Sequence, residues 1–170
     1  MAKWLYAHYG MELGGHPEET VWYFAFGSNL HASTFLERRK MRPTETRVGC
    51  LHGYRLRFNL DGRPLGKAAP ANIEPDVNAE VWGVLYQITR RELVHLDSTE
   101  GVPGGRYRHL WADTEDSNGR SVHAITYMAP GNPVDGNPSL RYITLLREGA
   151  RMHGLPAWWV DYLESVQHAE

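Results

Sequence analysis

The alternation of apolar and polar positions divides this chain into short elements. Trp22 to Phe26 is an apolar, aromatic run of strand length, closed by Gly27, Ser28 and Asn29. A helical pattern follows over "HASTFLERRK", His31 to Lys40. From Arg47 to Asn59 the chain alternates as a strand does, with Val48, Cys50, Tyr54, Leu56 and Phe58 assigned to one face. "LDGRPLGKAAP" has the punctuation of a loop and "ANIEP" reads as a short strand. Glu80 to Ile88 is a strong strand, rich in β-branched and aromatic residues. Thr89 opens a helix with capping-box spacing: its hydroxyl accepts from the Glu92 amide, and Glu92 reaches back. That helix carries Leu93 and Leu96 on its apolar face and ends before Gly101. Arg106 to Thr114 and Ser121 to Met128 read as strands. Ser139 caps a helix that runs to about Met152, and Pro156 starts a last one.

Helices and strands do not alternate strictly, which disfavours a doubly wound sheet. The order predicts an α+β domain, a curved sheet or small barrel with helices at its sides. With 170 residues, 42% of them hydrophobic, the chain suits one domain with a real core. We assign that domain to residues 21–170. Residues 1–20 form an N-terminal extension, either poorly ordered or docked through Trp4 and Tyr6. Trp158 and Trp159 are adjacent in the last helix, so one of them either completes the core or meets a partner. Oligomeric state is not legible.

The net charge of −2 offers no footprint for nucleic acid. The basic run "ERRKMRP" reads as the solvated end of a helix. A single cysteine, Cys50, cannot build an intrachain disulfide framework, and its place in a strand marks it as buried and structural. No run has the length of a signal peptide or a membrane span, so a soluble, cytoplasmic protein is expected. The nine histidines include no pair with ligand spacing and there is no Cys-x-x-Cys, so no metal site is expected. Ser28 lacks the flanking pattern of a nucleophile elbow, which leaves a serine hydrolase weakly supported.

Two segments carry candidate chemistry. At "FGSNL" a strand turns into a helix. Its amides either serve only the helix cap or present donors to a carboxylate or oxyanion near the positive end of the dipole. At "LDSTEGVPGGRYRHL", Glu100 follows a helix end in a glycine-rich loop, ahead of Tyr107 on a new strand. A carboxylate walled by aromatic rings is desolvated and its pKa raised, as suits a proton shuttle.

Together these segments resemble the γ-glutamylcyclotransferase family, also called AIG2-like. The matching runs are "YFAFGSNL", "EVWGVLY", "LDSTEGV", "GRY" at Gly105 to Tyr107, and "PSLRYITLLREGARMHGLP". The resemblance spans roughly Trp22 to Val166 and implies a small, mostly antiparallel β-barrel with flanking helices. It implies a reaction too: cyclisation of an L-γ-glutamyl amide to 5-oxoproline with release of the amine or amino acid, and no cofactor. Glu100 is then the general base and acid. Phe26, Gly27, Ser28, Asn29 and Leu30 form the substrate loop, whose amides hold either the α-carboxylate or the oxyanion. Tyr107 and Tyr142 are pocket tyrosines or ordinary core aromatics, while Tyr127 reads as core. The family's commoner motif has Tyr where this chain has Phe26. "GSNL" is closer to the branch acting on γ-glutamyl dipeptides. The alternatives are a γ-glutamyl-protected biosynthetic intermediate as substrate, or a non-catalytic small-molecule-binding module of the same fold.

Overall fold

A computed structural model describes residues 16–62 and 69–170 of the chain. The docking expected through Trp4 and Tyr6, and part of the loop after Leu60, lie outside the described residues. Five strands are present: β1 (Thr20–Ala25), β2 (Glu45–Arg57), β3 (Asn72–Thr89), β4 (Arg108–Asp116) and β5 (Ser121–Met128). They close into a barrel in the order β1-β3-β2-β4-β5. Every pairing is antiparallel except β1 with β5, where Trp22 and Tyr23 lie beside Ala124 and Ile125. The α+β barrel expected from the sequence is therefore the fold observed. Phe24, Leu51, Leu85 and Ile125 are fully buried in its core. Among these described residues no helix is long and apolar enough to cross a membrane.

The two strands read at "ANIEP" and "EVWGVLYQI" are one strand, β3. Its ladder with β2 runs from Gln87 to Glu80, breaks, and resumes at Pro75 opposite Tyr54. Residues 76–79 bulge out at the break, with Val77 91% exposed and Asp76 accepting from the Asn78 amide. The local polarity at this point marks a bulge within the sheet rather than a gap between strands. The facing assigned to β2 also needs correction. A side chain at Gly49 would run into Leu85 and Phe24, so Gly49 and Leu51 point to the core while Val48, Cys50 and His52 take the outer face.

Three α-helices flank the barrel: α1 (Arg90–Glu100), α2 (Leu140–Met152) and α3 (Ala157–Ser165). The capping box of α1 forms as expected, with the Glu92 amide 3.1 Å from Thr89 Oγ1 and Glu92 Oε2 2.9 Å from the Thr89 amide. The carbonyls of Pro17 and Glu19 accept two further orphan amides, from Arg91 and Arg90. Glu100 is the last residue of α1, not the first of the loop, and Gly101 caps it in the left-handed conformation. The helix expected over His31 to Lys40 is shorter and more widely wound. Its six residues, Ser33–Arg38, close with the Arg39 amide on the Thr34 carbonyl, five residues back. In α3, Trp159 joins the core and Trp158 is half exposed.

Candidate active site

The turn after β1 is built to bring backbone and side chains under α2. Ser28–Leu30 make a single tight helical turn, closed by the Leu30 amide on the Gly27 carbonyl at 3.0 Å. Leu30 therefore has no amide to offer, and its side chain is fully buried in the core. The structure does not bring Leu30 to the cavity, contrary to the expectation from "FGSNL". The following helix is only six residues long and widely wound, so it offers the turn little dipole field. The amides of Gly27, Ser28 and Asn29 make no backbone bond in the turn. A side chain at Gly27 would lie 2.9 Å from the Tyr142 hydroxyl, and one at Gly149 would lie 2.7 Å from the Leu30 backbone. Both glycines let the loop sit flush against α2.

Glu100 faces this turn from the C-terminal end of α1. The Asn29 side-chain amide donates to Glu100 Oε1 at 3.1 Å and to the Tyr23 hydroxyl at 2.9 Å. Arg39 comes within 3.6 Å of the same carboxylate oxygen and bonds Thr99. Burial raises the Glu100 pKa above its ordinary value, while Arg39, the Asn29 hydrogen bond and Arg106 pull against it. Asn29 Oδ1 and Arg39 Nε are buried without a protein partner. A buried carboxylate beside an unused acceptor and an unused cationic donor is a receptive polar site.

The opposite wall is aromatic. The Tyr107 hydroxyl donates to the Ala71 carbonyl at 3.0 Å, and the Ala71 amide donates to the Tyr142 hydroxyl at 3.0 Å. The start of β3 is thus clamped between two tyrosines. Tyr142 is itself fixed in the first turn of α2, because its amide donates to the hydroxyl of the capping residue Ser139. Burial pushes the Tyr142 hydroxyl up to about 12, so it is a neutral donor as well as an acceptor. Tyr127 is core, as expected, and also lines the cavity. Its hydroxyl donates to Asp97 Oδ1 at 2.6 Å, and His109 Nε2 lies 2.7 Å from the same oxygen.

These groups enclose a chamber of about 40 Å³ lined by Phe26, Gly27, Ser28, Asn29, Glu100 and the tyrosines. It adjoins an outer pocket of about 310 Å³ that shares Ser28, Glu100, Tyr107 and Tyr142 and adds Arg39 and Arg106. Seven residues singled out in the sequence meet here: Glu100, Phe26, Gly27, Ser28, Asn29, Tyr107 and Tyr142. Sequence reasoning misses Arg39, which reads as part of a solvated helix end, along with Ala71 and Asp97. No local signal distinguishes Arg39 from its basic neighbours, because its position depends on the wide winding of the preceding turn. No histidine is hydrogen-bonded to the Ser28 hydroxyl among the described residues, which removes the basis for a serine triad. The Cys50 thiol is pushed up to about 12 by burial and then by Glu80 and Glu115, so it is not a nucleophile near neutral pH. A larger cleft, about 940 Å³, lies between the β2–β3 hairpin and α3 and shares no residue with the Glu100 chamber.

Comparison with known proteins gives a consistent picture. Residues 80–163 match the model of the AIG2-like family. The chain is 30% identical over 164 residues to gamma-glutamylcyclotransferase from Homo sapiens, covering 92% of this chain and 84% of that one. It is 27% identical to gamma-glutamyl cyclotransferase aclK from Aspergillus oryzae, over 89% of this chain and 62% of the relative. A solved structure of a gamma-glutamyl cyclotransferase superposes with a TM-score of 0.78 at 25% identity, covering 89% of this chain and 90% of that one.

Proposed function

The chain belongs to the gamma-glutamylcyclotransferase family, and from that premise we propose that it cyclises an L-γ-glutamyl amino acid to 5-oxoproline, with Glu100 as base and acid. The observation that carries this reading is the placement of Glu100: a desolvated carboxylate at the wall of a small chamber, held by Asn29 and facing the turn at Gly27 to Asn29.

The reaction is intramolecular, so much of the entropic cost of bringing nucleophile and carbonyl together is already met within the substrate. Glu100 takes a proton from the α-ammonium. The freed amine attacks the γ-carbonyl, forming the ring C–N bond. The carbonyl electron pair moves onto oxygen. As it re-forms the carbonyl and the amide C–N bond breaks, Glu100 passes its proton to the departing nitrogen. The ring nitrogen gives up its extra proton to Glu100, which passes it on to the released amine or to solvent, leaving the lactam N–H. One carboxylate serves both steps because both nitrogens are bonded to the same tetrahedral carbon. General acid–base help of this kind is worth about 10²–10⁴-fold.

The raised pKa favours proton uptake, and Asn29 holds the acceptor oxygen in place. The unpartnered Asn29 Oδ1 is an acceptor for the α-ammonium. The Gly27 and Asn29 amides, which make no backbone bond in the turn, supply donors for a substrate carboxylate or the oxyanion, beside the Tyr142 hydroxyl that accepts from the Ser28 amide. The outer pocket suits the departing amino acid: it has room for a small group, and Arg39 and Arg106 on its wall complement a free carboxylate. Phe26 contributes a ring without a hydroxyl to the inner chamber, which makes that corner apolar.

The test is incubation with a panel of γ-glutamyl dipeptides, a γ-glutamyl amine and glutathione, with 5-oxoproline as the readout. The reading predicts product from the dipeptides and slower turnover of the amine, which lacks the carboxylate. Binding of dipeptides without 5-oxoproline would instead identify a non-catalytic binding module.

A further inference from the structure

Away from Glu100, we propose that Cys50, His52 and Glu80 form a binding site for a zinc-class divalent metal on the outer face of the barrel. Among the described residues these three are the one group of metal-ligating side chains whose donor atoms all converge, lying within 4.8 Å of one another.

Strand register makes the site. Cys50 and His52 are two apart on β2, so both project outward. Glu80 on β3 is the direct cross-strand partner of His52, and Glu115 on β4 is the partner of Cys50. Three adjacent strands thereby bring a thiol, an imidazole and two carboxylates to one patch. No spacing along the sequence announces this, because the ligands meet across the sheet.

The distances suit a tetrahedral ion. His52 Nδ1 lies 3.2 Å from Glu80 Oε2 and 4.0 Å from Cys50 Sγ. Metal–ligand bonds of about 2.0–2.3 Å put neighbouring donors about 3.5 Å apart, so the two separations bracket what a zinc ion requires. A thiolate, an imidazole and a carboxylate form a set that favours zinc over magnesium or calcium. Coordination breaks the Cys50 S–H bond and releases one proton to solvent per ion bound.

The surroundings also fit. Trp82 Nε1 donates to Glu80 Oε1 at 3.1 Å, which leaves Oε2 turned toward His52. Glu115 Oε2 lies 3.8 Å from His52 Nε2, the ring nitrogen that a metal on Nδ1 leaves free. Ligating histidines commonly have a carboxylate at that second nitrogen. Cys50 is 2% exposed yet lies outside the hydrophobic core cluster. His52 and Glu80 line the open cleft beside α3, which gives an ion a path from solvent and leaves a fourth position for water.

The full chain, stripped with a chelator, is titrated with Co²⁺ as a spectroscopic probe and with Zn²⁺ against a chromophoric competitor. The proposal predicts one ion per chain and a thiolate-to-cobalt charge-transfer band. It predicts loss of that band in Cys50→Ser and at least about tenfold weaker binding in both Cys50→Ser and His52→Ala. His52 is a solvent-facing residue, so His52→Ala tests the site even if Cys50→Ser folds poorly. His123→Ala, at an exposed histidine paired with Asp113, should bind as the parent does. Absence of binding, bound cobalt without a thiolate band, or undiminished affinity in His52→Ala would overturn the proposal.

Discussion

The side-chain amide of Asn29 donates to Glu100 Oε1 at 3.1 Å, joining two residues 71 positions apart. It ties the turn after β1 to the end of α1 and sets which carboxylate oxygen is held. Asn29→Asp replaces that donor with a second carboxylate. A like charge disfavours ionisation, so the Glu100 pKa rises further. The acid limb of the kcat/KM profile should move to higher pH and the rate on its plateau should fall. A pH–rate series on parent and variant checks this, and an unmoved limb would contradict it.

Gly27 and Tyr142 should be energetically coupled. An added methyl at position 27 lies 2.9 Å from the Tyr142 hydroxyl, so Gly27→Ala must displace the tyrosine or the turn. We expect kcat/KM to fall at least about tenfold, with part of the loss recovered in Gly27→Ala/Tyr142→Phe. A double-mutant cycle should give a coupling of about 0.5–3 kcal/mol, the range for residues in contact. A coupling of zero would place the effect elsewhere.

Burial of Glu100 predicts a stability change with a definite sign. Its folded pKa lies above the ordinary value of 4.5. The folded protein therefore holds this proton more tightly than the unfolded chain does. The associated stabilisation is complete below pH 4.5 and is lost as pH rises through the folded pKa. Glu100→Gln cannot ionise and escapes that loss. Its Tm should exceed the parent's at neutral pH, and the gap should close on acidification. Thermal unfolding across pH measures it; a gap independent of pH would exclude ionisation as the cause.

The elements whose physics is local are legible in the sequence. The Thr89 and Glu92 capping box forms as its spacing predicts, and Ser139 caps its helix. The barrel follows from an element order combined with a family resemblance. What is not legible depends on register and winding. The bulge at residues 76–79 hides the unity of β3, and the wide turn at Ser33–Arg38 delivers Arg39 to Glu100 instead of to solvent. The pattern of the turn after β1 points to its amides, yet the Leu30 amide is spent within the turn and the contact to Glu100 comes from the Asn29 side chain. The strand context of Cys50 marks it as structural, and the convergence of His52 and Glu80 on it emerges only when the strands are paired.

The most direct test of the central claim is the turnover of Glu100→Gln on a γ-glutamyl dipeptide, followed as 5-oxoproline. Gln keeps the size of the side chain and an oxygen for Asn29 but can neither take nor return the proton. The account predicts a folded variant that still binds the dipeptide, with kcat lowered by about a hundredfold or more. Near-parental kcat in Glu100→Gln would contradict it.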